Sequence, residues 1–333
     1  MSAADPGFRH LIRLSDDTGL FEHARHAIVR REHGYCTDDV ARGLVVTCRE
    51  PDPPDVVIAL AERYLAFLTH AQDEAGAFRN RLSHDRQWAD KGGLGDWWGR
   101  ALWGLGTAVA RAPVPWIRTD ALAAFTAGAA LRSPAPRAMV FAGLGAAEVL
   151  RAGADAGAAQ LLADAAAAVG DPGDDPDWLW PEDALTYANA ALAEVLISAG
   201  GLLDDGRSLT AGLRMLGWLR EVQCDGGHLS MIAATGWKRG GDRERYDQQP
   251  IEVAALTDAC ATASSVTGDR SWDEGIRQAA AWFAGDNDAH AVMWDEATGG
   301  GFDGLTPQGP NLNQGAESTL ALISTFQHAR RIS

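Results

Sequence analysis

Carboxylates recur in this sequence where buried helices would begin. Asp38 and Asp39, Asp96, Glu182 and Asp183, Asp247 and Glu252, and Glu317 each stand at or near the head of an apolar segment. Cleavage of a glycosidic bond needs one carboxyl held protonated to donate to the leaving oxygen and a second kept ionised as base or nucleophile. Carboxylates crowded at one mouth raise one another's pKa, which helps keep one of them protonated. The catalytic candidates are therefore Asp38, Asp39, Asp183, Asp247, Glu252 and Glu317. Each also has a plainer reading, because an acid at a helix start caps free N–H groups and suits the positive end of the dipole.

The company these acids keep points to a sugar. Twelve tryptophans are many for 333 residues, and several lie in polar, glycine-rich stretches rather than at helical spacing. Aromatic faces stack on the CH faces of a sugar, while amides and guanidinium groups bind its hydroxyls. On that basis the substrate-binding candidates are Tyr35, Trp98, Arg100, Trp180, Tyr187, Asn189, Trp237, Arg239, Gln248, Gln249, Asn313 and Gln314. Epimerisation is the competing chemistry: a histidine would abstract and return a proton, and His23, His26, His33 and His228 are available.

Six segments must position these groups. Residues 36–48, 96–110, 136–150, 182–200, 247–264 and 313–326 are apolar or small on nearly every side, and a helix apolar all round is buried all round. Between them, residues 55–72, 119–132, 156–169, 207–222 and 271–285 read as amphipathic surface helices. Outer helices alternating with inner ones form an internal repeat of helical hairpins. Acidic, glycine-rich turns at residues 72–78, 223–229 and 294–302 recur between outer and inner helices, and glycine there permits a tight reversal. The expected fold is all-α, an (α/α)6 toroid of six helical hairpins in a single domain spanning 1–333. An open superhelical array is less apt, since no polar terminal caps are evident.

The formal charge of -16 excludes nucleic acid as a partner, because phosphates demand a basic face. Four scattered cysteines show no metal spacing and read as reduced; no metal and no cofactor is expected. The first residues lack the apolar run of a signal peptide or a membrane span, so a cytoplasmic location is expected. The phosphate-binding and hydrolase motifs G-x-x-x-x-G-K-[ST], G-x-G-x-x-G after a strand, G-x-S-x-G and H-E-x-x-H do not occur.

Several strings carry a resemblance: DDTGLFEHA at residues 16–24, GYCTDDVAR at 34–42, GRALWGLG at 99–106, LTYANA at 185–190, RYDQQPIE at 245–252 and NQGAESTL at 313–320. Together they resemble a bacterial family of (α/α)6-barrel proteins found beside or fused to glycosyltransferases and mannoside-active enzymes. The resemblance spans nearly the whole chain. It implies carbohydrate metabolism, an oligosaccharide or glycan substrate and a glycosyltransferase encoded nearby as partner. It carries Asp38, Asp39, Asp183, Asp247, Glu252 and Glu317 over as site residues. The chain departs from the family pattern where Val40 replaces an asparagine, Gly95 and Asp96 an acidic pair, and Ala191 an arginine, which implies an altered pocket. The combined expectation is a glycoside hydrolase or phosphorylase, with a sugar epimerase or isomerase of similar fold, or a non-catalytic sugar-binding partner of a glycosyltransferase, as the alternatives.

Overall fold

A computed structural model describes residues 5–332. Among the described residues twelve α-helices follow one another: α1 (Arg9–Leu14), α2 (Thr37–Arg49), α3 (Asp55–Ala71), α4 (Asp96–Arg111), α5 (Pro115–Ala129), α6 (Pro136–Ala152), α7 (Ala156–Val169), α8 (Asn189–Leu202), α9 (Gly206–Val222), α10 (Pro250–Thr267), α11 (Asp273–Phe283) and α12 (Ala316–Ile332). Strands are two or three residues long and occur as two-stranded pairs in the loops.

The chain forms two compact units. One comprises Leu11–Ala24 and Ile28–Ala168, with α2 to α6 entirely within it and most of α7. Here α4 packs on both α2 and α6, while α3 and α5 lie outside. The even-numbered helices are the apolar segments of the sequence, and α6 is buried continuously from Arg137 to Val149. Their packing is close because glycine removes the side chain at the crossings. A Cβ on Gly99 would lie 2.1 Å from the Ala138 carbonyl oxygen, and one on Gly106 would lie 2.1 Å from that of Gly145. These contacts are backbone on backbone, so the helices approach as near as their main chains allow.

The other unit comprises Met1–His10, Arg25–Ala27 and Val169–Ser333. Within it α10 packs against α8, α11 and α12, and α9 covers α8. Pro115, Pro136 and Pro250 open α5, α6 and α10 at positions where the missing N–H has no intrahelical partner to lose. Asp205 caps α9, accepting from the Arg207 and Ser208 amides at 3.1 and 3.2 Å.

Eleven of the helices match the inner and outer segments read from sequence. One inner segment differs: the apolar stretch from 182 turns helical only at Asn189, after a loop whose Ala184–Leu185 pairs with Trp237–Lys238. The remaining helix, α1, is a single six-residue element that hydropathy patterning passes over. The three acidic turns are reversals as expected. Asp73 Oδ1 accepts from the Ala75 and Ala77 amides, and Gly76, Gly227 and Gly299 hold positive φ. The described cysteines form no disulfide, and Cys36, Cys48 and Cys260 are buried. No described helix is long and apolar enough to cross a membrane.

Candidate active site

In the first unit the candidates gather at the start of α2. Asp38 and Asp39 both meet the Arg42 guanidinium, each at 2.7 Å, and Arg100 Nε stands 3.3 Å from Asp38 Oδ2. The Arg100 guanidinium lies 3.8 Å over the Phe141 ring, a cation–π contact that orients it. Asp39 is almost fully covered, whereas the Asp38 side chain keeps 20% of its exposure. Of the two contacts, the one to Asp39 is a hydrogen bond, donated by Arg42 Nη2 to Asp39 Oδ1. Asp38, with Arg100 beside it, presents an acceptor and a donor side by side.

Tyr35 and Trp98 belong to the interior. Tyr35 donates its hydroxyl to Asp16 Oδ2 at 2.7 Å and stacks on Phe21; burial, together with the Asp16 hydrogen bond, pushes its phenol up to about 12. Trp98 has no exposed surface, and its indole N–H reaches the Gly128 carbonyl. Glu22, Cys36 and Asp39 place potential ligand atoms within 4.8 Å of one another. Burial first, then Asp39 and Asp38, push the Cys36 thiol well up, so it stays protonated and donates to Asn80 Oδ1. Arg81 in turn pairs with Glu22. Within this trio Cys36 donates to Asn80, Glu22 pairs with Arg81 and Asp39 pairs with Arg42.

In the second unit several of the candidates lie in loops joined by main-chain pairing. The Arg239 amide donates to the Asp183 carbonyl, Trp237 pairs with Leu185, and the Ala234 amide donates to the Asp247 carbonyl. Asp183 and Asp247 are exposed, Tyr187 keeps 40% of its surface, and Trp237 is half-buried. Trp237 packs edge-on to Trp178 at 5.1 Å and parallel to Trp218 at 6.5 Å, and Trp180 stacks on Trp218. Trp180 is thus mostly core, and Trp237 is the member whose face reaches solvent. Gln249 leads into α10, and Gln248 is buried, accepting from the Trp282 indole at 3.0 Å.

Glu252 and Asn189 have a structural duty in this unit. The Glu252 carboxylate accepts from the Ala188 amide, from the Asn189 amide at 3.3 Å and from Asn189 Nδ2 at 3.1 Å. It thereby caps α8 from a different helix, after Ala188 turns through the left-handed region. Replacing it by glutamine weakens charge-assisted bonds to a buried helix start, so Glu252→Gln is expected to cost about 1–2 kcal/mol in a urea unfolding titration. A variant as stable as the parent would contradict this cap.

Asn313 and Gln314 brace the lead-in to α12. Asn313 Oδ1 accepts from the His26 amide, and Gln314 bridges Thr298 and Asp295. Glu317, in the first turn of α12, is half-buried. Of the histidines, His228 has the most telling partner: its Nε2 lies 3.0 Å from Asp288 Oδ1, which Arg245 also meets at 2.8 Å. Burial would raise the Asp288 pKa, but hydrogen bonds from Ser230, His228 and Gln248 and the Arg245 charge hold it below the usual range. Sequence reasoning missed Asp288, Phe141 and the buried Arg137. Arginine inside an otherwise apolar helix head was the available signal for the last.

Comparison with solved structures places this geometry. The chain matches a sugar epimerase from a ruminal bacterium at 12% identity and TM-score 0.74, over 98% of this chain and 96% of that one. It matches the cellobiose 2-epimerase from Bacillus thermoamylovorans B4167 at 10% identity and TM-score 0.71, over 96% and 95%. A cellulase of C. cellulolyticum aligns at 8% identity and TM-score 0.63, over 94% and 87%. No protein-family profile matches the sequence, and no curated protein matches it. At such identities the likeness speaks for fold, and the fold is all-α, of the (α/α)6 toroid class to which these sugar-processing enzymes belong.

Proposed function

We propose that this protein is a carbohydrate-active enzyme that cleaves a glycosidic bond, by hydrolysis or phosphorolysis, in an oligosaccharide or glycan. The observation that carries this reading is the set of second-unit loops, where the main chain ties Arg239 to Asp183, Trp237 to Leu185 and Ala234 to Asp247, and the Asp183, Asp247 and Tyr187 side chains are exposed. The carboxylates sort by their local settings. Glu252 caps α8, Asp39 is covered and held by Arg42, and Asp38, beside Arg42 and Arg100, is the more exposed of the pair and the one placed to accept a sugar hydroxyl. The acid and base are therefore drawn from Asp183, Asp247 and Glu317. This reading takes 1–333 as a single domain; the cytoplasmic location and the glycosyltransferase partner rest on the sequence alone.

Product analysis with mannose-, glucose- and galactose-containing oligosaccharides, with and without phosphate, tests it. Asp247→Asn and Glu317→Gln are each expected to lower turnover about a hundredfold with the circular dichroism unchanged. Turnover that survives Asp183→Asn, Asp247→Asn and Glu317→Gln alike would sink the carboxylate mechanism. A second reading, epimerisation, is favoured by His228, whose imidazole is backed by the buried Asp288 carboxylate. Running the assay in deuterium oxide separates the two, since deuterium at a sugar carbon without cleavage would make His228 the base.

A further inference from the structure

The outer face of α3 carries a cavity of about 540 Å³, within the range of small-molecule sites. Its floor is one stripe of that helix: Ala59, Glu62, Arg63, Ala66, Phe67 and His70 follow the i, i+3, i+4 spacing of a single face. Across from it Arg86 Nη2 meets both carboxylate oxygens of Asp17 at 2.8 Å in a solvent-exposed ion pair. Behind two of the lining residues, Trp88 packs on Phe67 at 5.6 Å and on His70 at 5.5 Å. Its indole N–H is buried and has no hydrogen-bond partner among the described residues.

Charge and aromatic display define the ligand. The lining holds two acids, Asp17 and Glu62, and two arginines, Arg63 and Arg86, so it offers many donors and acceptors with no net formal charge. Such a wall favours a neutral, polyhydroxylated ligand over an ion. Beside the lining residue Glu62, Trp116 on α5 is 59% exposed and donates its indole N–H to Glu62 Oε1 at 2.7 Å. A large apolar ring held rigid in solvent is costly to display and well suited to stacking on the CH face of a sugar.

We propose that the outer face of α3 is a second carbohydrate site, taking a neutral oligosaccharide between the Trp116 ring and the Glu62–Arg63 stripe. This rests on the carbohydrate reading above, and it shares no residue with the catalytic candidates. The ligand would stack on Trp116 and hydrogen-bond to Glu62 and Arg63, keeping a long glycan attached while the chemistry takes place elsewhere.

Isothermal titration of the intact protein with cellohexaose and mannohexaose tests the proposal, with hexagalacturonate as the charged counterpart. Trp116→Ala, and Ala66→Phe, which puts a ring in the middle of the stripe, are each expected to weaken hexaose binding at least tenfold. Both should leave the circular dichroism unchanged, and turnover of a disaccharide should stay within twofold. Binding unchanged in both variants, or hexagalacturonate bound more tightly than either neutral hexaose, would overturn the α3 site. Disaccharide turnover without hexaose binding overturns the α3 site alone and leaves the enzyme reading standing. Neither turnover nor binding of any probe would remove both.

Discussion

Gly145→Ala is expected to destabilise the protein by at least about 3 kcal/mol, although alanine is the better helix former by about 1 kcal/mol. A Cβ at Gly145 would lie 2.2 Å from the Leu102 carbonyl oxygen, 2.5 Å from its carbon and 2.8 Å from the Trp103 nitrogen. All three are backbone atoms of α4, so relief requires moving a whole helix rather than turning a side chain. On the other side of the crossing, Gly106 faces the Gly145 carbonyl in the same way. Gly217 is the internal control: it is helical in α9, and an added methyl would meet nothing within 4 Å. Gly217→Ala should stabilise by about 0.5–1 kcal/mol. Urea titrations of both variants decide the matter. Equal and small changes would mean that the α4–α6 crossing is looser than the structure shows.

Glu148→Gln should cost about 3–5 kcal/mol, the magnitude of breaking a buried ion pair while leaving its partners charged. Glu148, on α6, receives two hydrogen bonds from Arg111 at 2.8 and 3.1 Å and one from Arg151 at 3.2 Å. Burial alone would raise its pKa. The Arg111 and Arg151 charges, the Arg111 hydrogen bond and the nearby Arg49 charge outweigh that and hold the carboxyl below its ordinary value of 4.5. With the folded pKa depressed, the unfolded chain binds more protons in acid. The contribution is therefore complete above the ordinary glutamate value and fades as pH falls through the folded one. Stability measured from pH 7 downward should fall more steeply in the parent than in Glu148→Gln. Parallel curves would show that the cluster contributes nothing to acid lability.

Part of the arrangement was legible in the sequence. The recurrence of acids at inner-helix heads is a property of local sequence, and Asp183 and Asp247 lie exposed in the loops that precede α8 and α10. The division of labour among acids was hidden, because an anion's role depends on its partner. Glu252 is committed to Asn189, 63 residues earlier, and Asp38 faces Arg100 from another helix. Tryptophans divide in the same manner: Trp98 vanishes into the α4–α5 interior while Trp237 keeps a face in solvent.

What the sequence alone determined is therefore the alternation of buried and amphipathic helices and the glycine turns between them. A segment apolar on every side has only burial open to it, and a tight reversal needs positive φ, whatever the rest of the chain does. Only the tertiary structure decided where α8 begins, which carboxylates are clamped and which tryptophans show. Those outcomes depend on charges and carbonyls brought together from distant positions, and no local pattern encodes a partner it does not contain.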